Sequence, residues 1–304
     1  MSPRRRTPRR PADGVPIRLY GLRRGTTGLL TAVSALFAAF VLAPLVWLAI
    51  NATKTQANVY GTAGFWFARP FRLWQNLAAL GHDVSGAGIY LEWLGNTLLY
   101  AVVSAVGSTV LSAMAGYGFS RYRFRGAGTL FRLVMSTLLV PITALSLPLF
   151  LVYAKVGLVN SVWGMILPSV VSPVGIYLMR TYIDASVPRD LIEAARIDGA
   201  GELRIFLRIA LPLTVPGLVT VLLLTLVAVW NNYFLPLVIF SRSSLYPLTV
   251  GLSTLSQAAE TGTQADLVPV LITGGLVTVL PLIALFLLLE RYFRGGVLQG
   301  STTG

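Results

Sequence analysis

The sequence predicts an all-α integral membrane protein with six transmembrane helices, and three observations carry that expectation. Mean hydropathy is +0.73, and only 12% of residues are charged, where a water-soluble domain carries about a quarter. Six apolar runs approach the roughly 20 residues that cross a bilayer. Basic residues are sided. Lys54, Arg69, Arg72, Lys155 and Arg242 alone fall in the alternate, outer segments, and the other 19 of the 24 lysines and arginines fall in the inner ones. Cationic segments stay cytoplasmic, so both termini are expected inside. The same distribution absorbs the net charge of +13 without nucleic acid. Cysteine is absent, which excludes disulfides, thiolate metal sites and cysteine nucleophiles. The single histidine, His82, reads as a loop residue rather than a ligand.

Residues 1–27 hold eight arginines among prolines and glycines, so they are expected to form a disordered cytoplasmic tail that orients the chain and touches anionic lipid. The membrane-spanning body is expected over 28–294, and 295–304 form a second cytoplasmic tail. The first span, 28–50, contains Pro44 and is too long for a signal-peptide core, so it reads as an anchor. Residues 51–92 form an outer loop whose Phe65, Trp66, Phe67, Phe71 and Trp74 suit packing on the membrane surface. The second span, 93–115, opens on Asn96-Thr97. Its Ser104, Ser108 and Ser112, continued by Gly116, recur every four residues and predict a small-residue face for close helix approach. An arginine-rich inner turn follows, with Arg121, Arg123 and Arg125.

The third span, 128–153, contains Pro141 and Pro148, and the fourth, 161–179, contains Pro168 and Pro173. The fifth, 213–240, begins near Pro216 and ends near Pro236. The sixth, 267–289, is closed by Arg291 and Arg294. Mid-span prolines free carbonyls that neighbours or water must satisfy. They suit kinked helices around an internal path, and helix irregularity without a path is the other reading.

Between the fourth and fifth spans, residues 180–212 hold five arginines and five of the eleven acidic residues. Pro188 and Asp190 suit a first helical turn. Leu191, Ile192, Ala194 and Ala195 give a short amphipathic helix, and Gly199 and Gly201 stop it. A second short helix is expected over 202–210, ending against Pro212. Two short helices around a glycine elbow look like a docking surface. Glu193 has two arginines within helical reach, Arg189 and Arg196, so an intrahelical pair is the ordinary reading of it.

Coupling chemistry is missing from the spans themselves. No Asp, Glu, Lys or His lies mid-span, where ion-coupled carriers place them. No ring of charges suits a channel. Neither lysine, Lys54 or Lys155, follows glycine in a phosphate-cradling loop, so ATP hydrolysis is excluded. No Ser/His/Asp set, metal set or carboxylate pair lies at membrane depth to support an enzyme. Energy would have to enter from outside, at the docking loop.

Glu193-Ala194-Ala195, three residues, Gly199, nine residues, then Ile209-x-Leu211-Pro212 resembles the EAA motif of ABC importer permeases. Met114 to Gly126, Trp230-Asn231-Asn232-Tyr233-Phe234-Leu235-Pro236, Tyr246-Pro247-Leu248 and Arg291 to Gly296 resemble the carbohydrate-uptake branch, the second permease of maltose-type systems. The resemblance implies the all-helical type I importer fold with cytoplasmic coupling helices, in a bacterial or archaeal inner membrane. It implies a second permease subunit, a dimeric ABC ATPase and an extracytoplasmic solute-binding protein. ATP is bound by the partner, and this chain holds no cofactor. Glu193, Ala194, Ala195, Asp198, Gly199, Ile209, Leu211 and Pro212 would seat in the ATPase and transmit its closure. Trp230, Asn231, Asn232 and Tyr233 combine aromatic faces with amides and suit a sugar path; an aromatic belt near the outer interface is the competing reading. A permease for another solute, or a secondary carrier, is the alternative function.

Overall fold

The computed structural model describes residues 24–81, 89–261 and 267–299. Most of the arginine-rich tail, His82 and the last residues lie outside them. Every described regular element is helical. The chain divides into two units, Met1–Val46 and Trp47–Gly304. The described part of the first is one continuous helix, α1 (Arg24–Asn51), which runs on into the second with Pro44 inside it.

In the second unit α4 (Tyr90–Arg121) is the axis, lying against α8 (Pro173–Ser186) and α12 (Val215–Trp230). The sequence explains this position. Ser104 and Ser108 are fully buried, with Ser112 and Gly116 continuing the same face, as the four-residue period predicts. At Gly116 a Cβ would stand 2.7 Å from the backbone nitrogen of Arg180, so only glycine lets α8 come this close.

The N-terminal end of α4 is knitted to a distant turn. Trp93 Nε1 donates to Ser243 O at 2.9 Å, Asn96 Nδ2 to Ser244 O at 2.7 Å, and Tyr100 OH to Leu245 O at 3.0 Å. Thr97 Oγ1 accepts from Leu248 N at 2.8 Å. That bond satisfies the start of α14 (Leu248–Glu260), whose cap residue Pro247 offers no side-chain acceptor.

The loop after α1 carries α2 (Gln56–Gly61) and α3 (Leu73–Gly81). Asn76 Nδ2 reaches Ala52 O and Lys54 O, and Lys54 Nζ donates to Ala63 O at 3.0 Å. Lys54 is therefore a fully buried clamp within this loop, and burial pushes its ammonium pKa down. Phe65, Trp66, Phe67, Phe71 and Trp74 are each more than half exposed.

Three expected spans are broken, each where the sequence carries a helix restart. The third divides into α5 (Ala127–Ser136) with the 3-10 turn Thr137–Leu139, and α6 (Ile142–Val156). Pro141 forces Val140 into extended backbone and begins the new helix. The fourth divides into α7 (Val162–Ser169) and α8, where Ser172 Oγ accepts from Gly175 N at 3.0 Å and Pro173 takes the first turn. It also runs seven residues past the expected end, so Arg180 and Asp184 belong to α8. The fifth divides into α12 and α13 (Phe234–Ile239). There Asn232 Oδ1 accepts from Leu235 N, and Pro236 falls in a first turn where its missing N–H costs little.

The sixth span, α15 (Leu267–Gln299), continues past Arg291 and Arg294 into the expected tail. Among the described residues four helical runs are long and apolar enough to cross a membrane, with α7 and α8 taken together as Val162–Ser186, or six if each of two bent pairs counts as one span.

Candidate functional site

The loop between α8 and α12 folds as two short helices. The first, α9 (Arg189–Ile197), begins one residue later than expected, because Pro188 stands outside it in extended backbone. Gly199 adopts φ +77°, with its N–H on Arg196 O and the next N–H, of Ala200, on Ala195 O. These are the two bonds of a Schellman stop, which requires the left-handed conformation glycine supplies.

The second helix does not end at Pro212. After α10 (Glu202–Ile205) it widens into a π-helical turn, Phe206–Ala210, and continues as α11 (Leu211–Leu213). Leu211 N–H bonds Phe206 O, and this wider register carries the helix past a proline that has no N–H to give. A bend of 80° follows at Thr214, before α12. Ile192 and Ile205 are buried in a core with Tyr117, Met179, Ile183 and Val187, while Ile209 and Leu211 pack on it. The pair is therefore seated on the ends of α4 and α8.

The opposite surface is open. Glu193, Ala194, Asp198, Gly199 and Pro212 are exposed, and Ala195 is half-buried. The expected intrahelical pair of Glu193 is not formed, for Arg196 turns to Glu202 instead, Nε to Oε1 at 2.7 Å. Glu193 has no ion pair among the described residues.

Glu202 also accepts from Tyr122 OH at 2.7 Å. The Arg196 and Tyr122 hydrogen bonds hold its carboxyl below the usual carboxylate range. Burial, then the bond to Glu202, pushes the Tyr122 phenol up to about 12. Arg121 is the residue the sequence undersold. Read there as a retention charge, its side chain is only 5% exposed, and it donates to Ile183 O and Val187 O, both at 2.6 Å. It thereby ties the C-terminal end of α4 to the end of α8. The signal was its place directly after the small-residue face that brings those helices together.

A cavity of about 640 Å³ opens where α7 and α12 break. Its polar lining is Ser169, Ser172, Thr225, Asn231, Asn232 and Tyr233, and no charged side chain lines it. Tyr233 OH lies 3.2 Å from Ser253 Oγ, and Asn232 O accepts from Thr249 Oγ1 at 2.8 Å. Trp230 is separated from its three neighbours. It is buried in the core with Tyr100 and Phe240, and does not line the cavity. Pro168 and Pro173 line this cavity and a neighbouring one of about 640 Å³, which Pro148 also borders, so three of the mid-span prolines border cavities.

A helical membrane chain with an uncharged cavity and an exposed, glycine-stopped helix pair is built as a transport component. Residues 108–298 match the family described as binding-protein-dependent transport system inner membrane component, and the chain belongs to that family. It is an ABC importer permease subunit and not an enzyme. It is 37% identical over 218 residues to the arabinooligosaccharides transport system permease protein AraQ of Halalkalibacterium halodurans, covering 72% of this chain and 76% of that one. It is 32% identical over 264 residues to the osmoprotective compounds uptake permease protein GgtD of Synechocystis, covering 85% and 86%. In fold it resembles a bacterial ABC transporter involved in the import of the acidic polysaccharide alginate. That likeness has a TM-score of 0.75 at 24% identity and covers 88% of this chain and 96% of the other.

Proposed function

We propose that this chain is one permease subunit of an ATP-driven, binding-protein-dependent importer of a sugar or oligosaccharide. It spans the inner membrane six times with both termini cytoplasmic, the broken third, fourth and fifth spans each crossing once. It lines half of the path, a second permease lines the rest, and a solute-binding protein delivers substrate from outside. The helix pair 189–213 docks on a dimeric ABC ATPase, which binds the ATP. The observation that carries this reading is the coexistence of two features in one chain. One is the uncharged, mostly apolar cavity with hydroxyl and amide groups set in its wall. The other is the cytoplasmic helix pair whose Glu193 has no ion-pair partner of its own among the described residues.

Neutral sugars are held by such hydroxyl, amide and aromatic groups, and Asn231, Asn232 and Tyr233 supply them. The printed name of the AraQ relative supports this substrate class. The name of the GgtD relative supports a second reading, a small osmoprotective solute.

The test is purification of this chain from its native membrane in mild detergent, then uptake assays on the recovered complex. An ATPase and a second permease should accompany it, and neutral oligosaccharides should stimulate hydrolysis through the binding protein. Glu193→Ala should keep the chain in the membrane and lower uptake per ATP at least tenfold. Normal coupled uptake by Glu193→Ala and by Gly199→Pro would overturn the docking assignment.

A further inference from the structure

Beside the start of α9 lies a cavity of about 410 Å³ whose walls carry four arginines, Arg121, Arg123, Arg189 and Arg196, together with Tyr122, Ile192 and Glu193. Like charges a few ångströms apart repel, and more strongly near protein than in bulk water, so such a cluster needs anions. Two of the four are accounted for. Arg196 is bonded to Glu202 at 2.7 Å. Arg121 lies 3.8 Å from Asp184, and its terminal nitrogen is engaged by the carbonyls of Ile183 and Val187. Its Nε stays buried without a hydrogen-bond partner among the described residues. Arg123 and Arg189 have no ion pair among the described residues. Glu193 is the one carboxylate in the wall. The basin therefore holds a surplus of positive charge, and the uncapped N-terminus of α9 adds to it.

Resting on the docking reading above, we propose that this basin receives one carboxylate side chain of the partner ATPase, gripped by Arg123 and Arg189. Planar guanidiniums pair with carboxylates through two parallel hydrogen bonds, which fixes direction as well as charge. The floor is preorganised, because Arg121 is locked to two carbonyls before any partner arrives. An anionic bilayer headgroup suits the basin less well. Asp190, Glu193 and Asp198 stand exposed on and beside the same helix, and residues 180–212 carry as many acids as arginines. The same helix pair exposes Ile197 (86%) and Leu203 (70%). Apolar groups mixed with arginine are the composition of a protein interface. A partner acid seated here touches the turn after α4 and the start of α9 at once, so its movement reaches both.

The test uses the whole importer in lipid nanodiscs, with Arg123→Gln, Arg189→Gln and Arg189→Glu. Both arginines are exposed, so the substitutions remove no packing, and chain abundance in the membrane checks this. Since the sequence has no cysteine, a single cysteine at Leu203 provides an independent crosslink to the ATPase. The expected result is an intact crosslink with ATPase retention weakened about tenfold by either glutamine, and further by Arg189→Glu. The salt dependence of retention should flatten. One acid-to-arginine change on the ATPase should restore retention to Arg189→Glu. An intact crosslink with unchanged retention and unchanged salt dependence would overturn the basin while leaving the docking reading standing. Loss of the crosslink in the otherwise unaltered chain would overturn both. Unchanged retention with an altered response to phosphatidylglycerol against phosphatidylcholine would assign the basin to a headgroup and overturn the proposal.

Discussion

Glu202 shows how one side chain decides what its neighbours are free to do. By taking Arg196 at 2.7 Å and Tyr122 at 2.7 Å, it leaves Glu193 unpaired on the exposed surface. Its carboxyl is held below the ordinary range by those two bonds. The sign of the pH dependence follows. A lowered folded-state pKa contributes stability that is present above the unfolded value, about 4.3 for glutamate. That stability is lost as pH falls through the lowered one. Tyr122, pushed up to about 12, keeps its proton and remains a donor throughout that window. Glu202→Gln should therefore lower the melting temperature in detergent at about pH 7, and the gap from the native chain should narrow progressively as pH falls below about 4. A gap that stays constant across that range would remove the electrostatic account of this link.

At the scale of elements, α4 and α8 are held together at two points with different physics. Gly116 is a matter of space, since a Cβ there would stand 2.7 Å from Arg180 N. Arg121 is a matter of hydrogen bonding, with both carbonyls at 2.6 Å and the side chain 5% exposed. Gly116→Val should force the helices apart and cost about 1–3 kcal/mol. Arg121→Ala should cost about 3 kcal/mol or more, because two carbonyls lose a charged donor. Ser112→Ala should behave oppositely. Its hydroxyl is buried with no hydrogen-bond partner among the described residues, so removal should be neutral or slightly stabilising. Thermal melts of the three variants check this ordering, and a severe loss in Ser112→Ala would reveal an unrecognised partner for that hydroxyl.

Across the whole molecule, hydrogen bonds join segments expected on the same side of the membrane. Asn160 Oδ1, in the turn after α6, accepts from Ser241 N at 2.6 Å in the turn after α13. Trp93, Asn96 and Tyr100 bond the neighbouring residues 243–245. At the other end Arg121 reaches Val187 and Tyr122 reaches Glu202. Six spans would place these partners together, and four spans would separate some of them. Accessibility labelling of single cysteines should mark Asn160 and Ser253 from outside, and Arg123 and Leu203 only after permeabilisation. Labelling of Arg123 from outside would sink the six-span topology.

Membrane class, the sidedness of charge, the glycine stop at Gly199 and the EAA spacing were legible in the sequence, because each is local: a run of apolar residues, an excess of arginine, a conformation only glycine takes readily. The small-residue face of α4 was legible for the same reason, as a four-residue period. The broken third, fourth and fifth spans were half-legible. Pro141, Pro173 and Pro236 announced irregularity, but whether a proline kinks a helix or starts a new one depends on what caps the restart, and Ser172 and Asn232 do so here. Only the tertiary structure decided the polar partnerships. Arg196 had Glu193 and Glu202 both within reach, and packing of Ile192 and Ile205 into one core sets which carboxylate it meets. Trp230 and Tyr233 sit three residues apart at the end of α12, yet one is buried in the core and the other lines the cavity. Such outcomes depend on contacts between residues far apart in the chain, and no window of sequence contains both sides of them.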